Sequence, residues 1–144
     1  MKSPLLGPFY LLGLRADPIQ RTLLGIRIEN VVSMMDALAA RPDVDPHRIT
    51  AVASGHMGLV LLHAAVLDPR LAHVTVDHVL ESYRSMLHAP LPIGAPEGVL
   101  SGVLLGYDIP DLVRALGPRL TTTVPAQGAD DLSRGSTPLG ELSK

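Results

Sequence analysis

The sequence predicts an α/β domain: a partial three-layer α/β/α sandwich of about three parallel strands with flanking helices. Three observations predict it. Leu24, Ile28, Val31, Met35 and Leu38 recur at spacings of four, three, four and three, which gathers them on one helical face. A short apolar run, residues 49–53, passes through Ser54-Gly55 into a second helical stripe. A β-rich stretch, residues 71–79, follows that stripe directly, with Val74 and Val76 at the two-residue period of a strand. Strand, helix and strand in this order make a crossover that is right-handed in nearly all known cases, so the two strands are expected to lie parallel with the helix across the sheet.

Each element has its own punctuation. The first helix, residues 21–40, stops at Arg41-Pro42, because proline pushes its predecessor out of the α region, and Asp43-Val44-Asp45-Pro46 makes a turn. In the second helix Met57, Val60, Leu61, Ala64 and Leu67 form the expected stripe, which Asp68-Pro69-Arg70 closes. Met34 and Met35 read as core. Asp43, Asp45 and Arg48 read as solvated turn residues. Pro90, Pro92, Gly94, Pro96 and Gly98 interrupt residues 89–106, which therefore read as a loop with a short helix, suited to a cap or lid. Asp108 is placed to cap a helix over residues 109–116, with Pro110 in its first turn and Gly117-Pro118 ending it. Residues 120–124 suit a third strand, and residues 125–144, rich in Gly, Ser, Asp and Pro, read as a mobile tail after a domain spanning residues 1–124.

Composition removes several functions. With one Phe, three Tyr and no Trp, no aromatic platform is available for stacking bases, and a net charge of −2 with scattered Lys and Arg makes nucleic acid an unexpected partner. The absence of cysteine excludes disulfides, thiolate metal sites and cysteine catalysis. Residues 4–14 form an apolar run behind Lys2, but Pro4, Gly7, Pro8 and Gly13 break it and no small-x-small cleavage pattern follows, leaving the cytoplasm as the default compartment. The longest later apolar stretch, residues 58–67, is interrupted by His63 and is too short to span a bilayer, so no membrane contact is expected.

The series from Ala39 to Ile49, with Arg41-Pro-Asp-Val-Asp-Pro-His-Arg48 at its centre, runs on into Thr50-Ala-Val-Ala-Ser-Gly-His-Met-Gly58. It resembles the nucleophile region of α/β-hydrolases of the acetylxylan-esterase and prolyl-oligopeptidase-like kind. Leu67-Asp68-Pro69-Arg70, Glu81-Ser82-Tyr83-Arg84-Ser85 and Tyr107-Asp108-Ile109-Pro110-Asp111-Leu112 extend the likeness over roughly residues 20–125. In that fold a serine at the centre of Gly-x-Ser-x-Gly stands on a sharp strand-to-helix turn. The resemblance puts Gly55 at that position, with Ala53 as the outer small residue and the His56 N–H as one oxyanion donor. Glycine has no atom with which to attack a carbonyl. The family's acid would fall near Gly128, with Asp130 and Asp131 close by, and its histidine strand finds no counterpart after Val124. Its earlier strands find none before residue 20, so the strand at 49–53, internal in the family, is expected here to expose an edge.

Other candidates are weaker on their own chemistry. Ser54 is an alternative nucleophile, but Val52 and His56 then occupy positions where the turn wants small residues. Ala53-x-Gly55-x-x-Gly58 imitates a degenerate dinucleotide fingerprint with Asp77 as the ribose acid, and a tight helix–strand contact accounts for the same small residues. His56 and His63 are seven apart in a helix, and His73 and His78 fall on opposite strand faces, so no metal set converges and no cofactor is implied. Asp77, His78 and Glu81, joined by Tyr83 and Arg84, gather near the carboxyl end of the second strand, where such sheets place ligands; they form either a pocket or a hydrogen-bonded loop anchor.

The resulting expectation is a degenerate or truncated α/β-hydrolase-like module that is non-catalytic and structural or protein-binding. The alternative is a carboxylic-ester hydrolase, acetyl-esterase-like, using Ser54. The exposed sheet edge is expected to meet another copy, a complementing subunit or the N-terminal segment.

Overall fold

A helix surrounded by apolar neighbours can be buried on every side, and one such helix organises this chain. The computed structural model describes residues 21–88, 98 and 100–123. Its elements run α1 (Leu23–Ala39), β1 (Ile49–Ser54), α2 (Gly55–Leu67), β2 (Leu71–Asp77), α3 (Ser85–His88), α4 (Ile109–Leu116) and β3 (Leu120–Thr122), with 3-10 turns at Val103–Leu105 and Gly117–Arg119. The three strands are parallel in the order β1-β2-β3, and the helices flank them in a partial α/β sandwich.

The first helix starts where Thr22 Oγ1 accepts from the Gly25 N–H at 3.0 Å, which satisfies one of the free donors of the first turn. Its buried stripe is Leu24, Ile28 and Met35, with Val31 and Leu38 partly buried beside it. Met34 departs from the sequence expectation: it is half-exposed, because it lies about 100° around the helix from Met35. The central helix α2 departs more widely. Residues 58–65 are all buried, whereas Met57 and Leu67, expected in its core stripe, are exposed at its two ends. The cause is its position, since α2 contacts β1, β2, α1 and α4 at once.

Strand pairing is regular except at one point. Ile49 lies opposite Leu71 but Thr50 lies opposite His73, so Ala72 is an extra residue in β2. This bulge changes the parity of β2 and lets Leu71, Val74 and Val76 all face the core. The helix-side face is Ala51, Ala53, Val74 and Val76, and the opposite face is Thr50, Val52, Ser54, His73, Thr75, Asp77 and Thr121. None of the latter seven is buried among the described residues, although His73 Nε2 and Thr121 Oγ1 tie β2 to β3 at 2.9 Å.

The carboxyl end of α2 is closed by charge. Asp68, buried, receives Arg70 at 2.6 Å, and Arg70 also reaches Asp36 of α1 at 2.7 Å. The Arg70 hydrogen bond holds the Asp68 carboxyl below its ordinary range, outweighing burial. Arg119 Nη2 donates to the carbonyl of Leu71 at the start of β2 at 2.6 Å and to those of Ala65 and Asp68, which the end of α2 leaves open, at 3.1 and 3.3 Å.

Asp108 closes the other end of the structure. Its Oδ1 accepts from the N–H groups of Tyr83 and Ile109, each at 2.7 Å, while Oδ2 accepts from Ser82 Oγ. Asp111 Oδ2 accepts from the Asp108 N–H at 3.0 Å, which completes a capping box for α4. The predicted lid at residues 89–106 lies partly outside the described residues, and the tail at 125–144 lies wholly outside them. No described helix is long and apolar enough to cross a membrane.

Burial pushes the Asp108 carboxyl up, but the Ser82 hydroxyl and the Tyr83 and Ile109 amides together hold it below its ordinary value. Its contribution is therefore complete above the unfolded carboxylate pKa of about 3.9 and is lost as pH falls through the folded value. Asp108→Ala removes a helix cap and leaves the Tyr83 amide without its acceptor, an expected loss of about 2–3 kcal/mol in urea unfolding. Asp108→Asn should lose less and flatten the acid limb of the stability curve; an unchanged acid limb would show that Asp108 does not carry it.

Candidate functional site

A strand that turns abruptly into a helix needs one residue in a conformation that side chains resist, and this chain places glycine there. Ser54 ends β1 with extended backbone (φ −126°, ψ 152°), and Gly55 begins α2 at φ +56°. A Cβ built on Gly55 meets nothing within 4 Å, so position 55 faces open space at the carboxyl end of the sheet. The next glycine has the opposite surroundings. A Cβ on Gly58 would lie 2.6 Å from Val79 Cγ2 and 3.4 Å from the Ala53 carbonyl oxygen, so contact between α2 and the sheet accounts for that residue.

Ser54 is exposed, and its hydroxyl makes no cap to α2 and no hydrogen bond to another described residue. His56 is half-buried, with its ring against Gly98, where a Cβ would come within 3.3 Å of Cδ2. Ser54 pairs in register with Asp77 across the strand ends. Asp77 Oδ2 lies 3.5 Å from His78 Nδ1, an ion pair whenever that ring is protonated, while Asp77 Oδ1 is buried without a hydrogen-bond partner among the described residues. His78 stands at φ +48°, the one non-glycine residue with positive φ among those described, a conformation that costs on the order of 1–2 kcal/mol.

The remaining members of the expected cluster go elsewhere. Glu81 is exposed and borders a separate apolar hollow of about 250 Å³ formed with Val79, Leu80, Ile109, Val113 and Leu120. Arg84 is exposed, with Nε 4.0 Å from Asp108. Tyr83 turns inward and is buried. The structure thus brings together Ser54, Gly55, Asp77 and His78, and separates Glu81, Tyr83 and Arg84 from them. Among the described residues, no three His, Asp or Glu side chains are grouped to hold a metal.

Tyr83 belongs to a buried polar cluster absent from the sequence reading. His63 Nδ1 lies 2.8 Å from the Leu59 carbonyl, which requires a proton on Nδ1 and leaves Nε2 to accept from Tyr83 Oη at 3.4 Å. The Tyr107 ring lies 5.8 Å from the imidazole between centroids. Burial, then the nearby Tyr107 and Asp108, pushes the Tyr83 phenol above its ordinary value, so it remains a donor. Burial also lowers the His63 pKa, outweighing the Leu59 carbonyl. The one available signal was His63 itself, a polar residue in an otherwise apolar helix.

A second apolar hollow, of about 200 Å³, lies beside β1, an edge strand of the described sheet. Val31, Met34 and Leu38 of α1 and Ala51, Val52 and Met57 line it, and Val52 is 79% exposed. No protein family, curated protein or solved structure matches the chain in comparisons with known proteins. The site is therefore read from its own geometry: an open, side-chain-free bend, a strained histidine beside a carboxylate, and an apolar strand edge with no further strand paired to it among the described residues.

Two glycine substitutions separate the causes at the bend. Gly55→Ala should lose about 1 kcal/mol from backbone strain alone, since it has room. Gly58→Ala should lose about 1–3 kcal/mol through overpacking, and Val79→Ala should recover part of that loss in a double-mutant cycle. Equal losses with no coupling would refute the assignment. A folded pKa below the unfolded histidine value of about 6.5 means that stability falls as pH drops beneath 6.5 and levels off below the folded value. His63→Gln should remove that slope in unfolding measured across this range.

Proposed function

We propose that this chain is a non-catalytic α/β-hydrolase-like module that works by polypeptide contact along its β1 edge. The observation that carries the reading is Gly55. It occupies the strand-to-helix bend where the resemblance in sequence expects a nucleophile, and nothing but hydrogen extends from it into the open space there. The His56 N–H remains near the bend, yet an oxyanion donor without a nucleophile performs no acyl transfer. Ser54, one residue earlier, has no imidazole partner among the described residues to take its proton. The β1 edge supports the contact role, because six residues without charge or proline form it and natural free edges usually carry such protection.

The ester-hydrolase alternative is tested directly. Incubation with a fluorophosphonate probe should leave the protein unlabelled, and hydrolysis of p-nitrophenyl acetate should stay at the rate of a Ser54→Ala control. Labelling that disappears in Ser54→Ala would replace this reading with catalysis by Ser54.

A further inference from the structure

We infer that His63 and Tyr83 form an acid-released latch: when the imidazole takes up a second proton, Tyr83 leaves its buried place beside α2 and frees residues 83–87, while the sheet and the other helices stay folded. The inference is independent of the contact role proposed above.

The latch depends on how the two side chains share their hydrogens. His63 is 4% exposed and Tyr83 is 3% exposed, so neither has solvent to turn to. The Leu59 carbonyl, 2.8 Å from Nδ1, keeps one proton on that nitrogen, and neutral His63 therefore accepts from Tyr83 Oη only through Nε2, over 3.4 Å. A second proton must go on Nε2. Both ring nitrogens are then donors, and the Tyr83 hydroxyl has to turn its own hydrogen away. That hydroxyl makes no other hydrogen bond among the described residues, so its donor is stranded in the core just as a charge arrives beside it.

No element packed against α2 offers a carboxylate for that charge. On α1, Glu29 pairs with Arg21 and Asp36 with Arg70, and the remaining charged residue, Arg27, is a cation. β1 carries no charged residue, and His73 and Asp77 of β2 lie on the sheet face away from α2. On α4, Asp111 pairs with Arg114. Asp68, at the end of α2 itself, is held by Arg70. Tyr107, whose ring faces the imidazole, is uncharged, and the Asp108 carboxylate already accepts from Ser82, Tyr83 and Ile109.

The cheapest relief is to withdraw Tyr83. It is the one buried residue from 81 to 87, with Met86 adding a partly buried contact, whereas α2 is buried from 58 to 65 against four elements. Removing one ring lets water reach the imidazolium and leaves the packing of α2 in place. Ser82, bonded to Asp108, stays behind as the hinge. Burial holds the closed imidazole below its ordinary value of about 6.5, and opening lets it rise back, so acid favours the open form.

Hydrogen exchange on the full chain tests this, read at the Met86 and Leu87 amides, which donate to the Tyr83 and Arg84 carbonyls. Their protection factors should fall by up to about tenfold from about pH 7.5 to about 5.5, a range in which the carboxylates stay ionised. The opening should be insensitive to sub-denaturing urea, the mark of a small local event, whereas the Leu61 and Leu62 amides of α2 should stay better protected and respond to urea. His63→Gln and His63→Leu should each give protection at Met86 and Leu87 that does not change over this pH range, and either variant suffices if the other does not fold. Unchanged protection in the wild type would overturn the inference. So would a urea dependence equal to that of α2, which makes global unfolding the route, or an acid response that persists without His63.

Discussion

At Gly58 the surface of α2 meets the sheet with no space for a methyl group: the nearest atoms are Val79 Cγ2 and the carbonyl oxygen of Ala53. A helix held that close to β1 and β2 cannot leave the strand by a gradual curve. The turn must be completed within a residue or two, which is why Gly55 stands at φ +56° immediately after the extended Ser54. The position of α2 then determines the rest. It fills the centre of the helical layer, so α1 and α4 have their places on either side of it, and its residues 58–65 have protein on all sides.

Burying a helix in this way leaves its ends and its one polar side chain to be satisfied from outside. At its carboxyl end, Arg119 arrives from just before β3 to donate to three carbonyls, while Arg70 links buried Asp68 to Asp36. At mid-helix, His63 is completed by Leu59 within α2 and by Tyr83 from the segment after β2. Tyr83 is in turn fixed by Asp108, the cap of α4. These contacts join elements far apart in sequence, so the polar groups and the apolar core reinforce one arrangement.

Local chemistry was legible in the sequence, and environment was not. Asp108, Pro110 and Gly117 mark α4 because caps and breakers act within a few residues, and the observed helix is Ile109–Leu116. Arg41-Pro42 likewise marks the end of α1, whose last residue is Ala39, whereas the Thr22 cap at its start emerged only in the structure. The burial of α2 was misjudged because a helical stripe presumes one solvent face, whereas neighbours on several sides bury Leu59, Leu62 and Ala65 as well. The Ala72 bulge has no composition signal, yet it decides which face of β2 meets the core. The expected ligand cluster at Asp77–Arg84 divided for a similar reason. Sequence proximity placed five residues together, but His78 at positive φ redirects the chain, after which Tyr83 enters the core and Arg84 meets solvent.

The bend at Gly55 is required by packing whether or not any chemistry occurs there. A side chain at φ near +56° is strained by on the order of 1 kcal/mol, and a nucleophile held at such a turn imposes that strain on its fold. Glycine adopts the same backbone without it. Glycine at position 55 therefore allows the close helix–sheet contact at Gly58 without that strain. The bend is consequently evidence about how α2 rests on the sheet. Among the described residues, packing gives no reason for the uncharged edge of β1 with its exposed valine, as it gives none for the exposed Leu87 and Leu105.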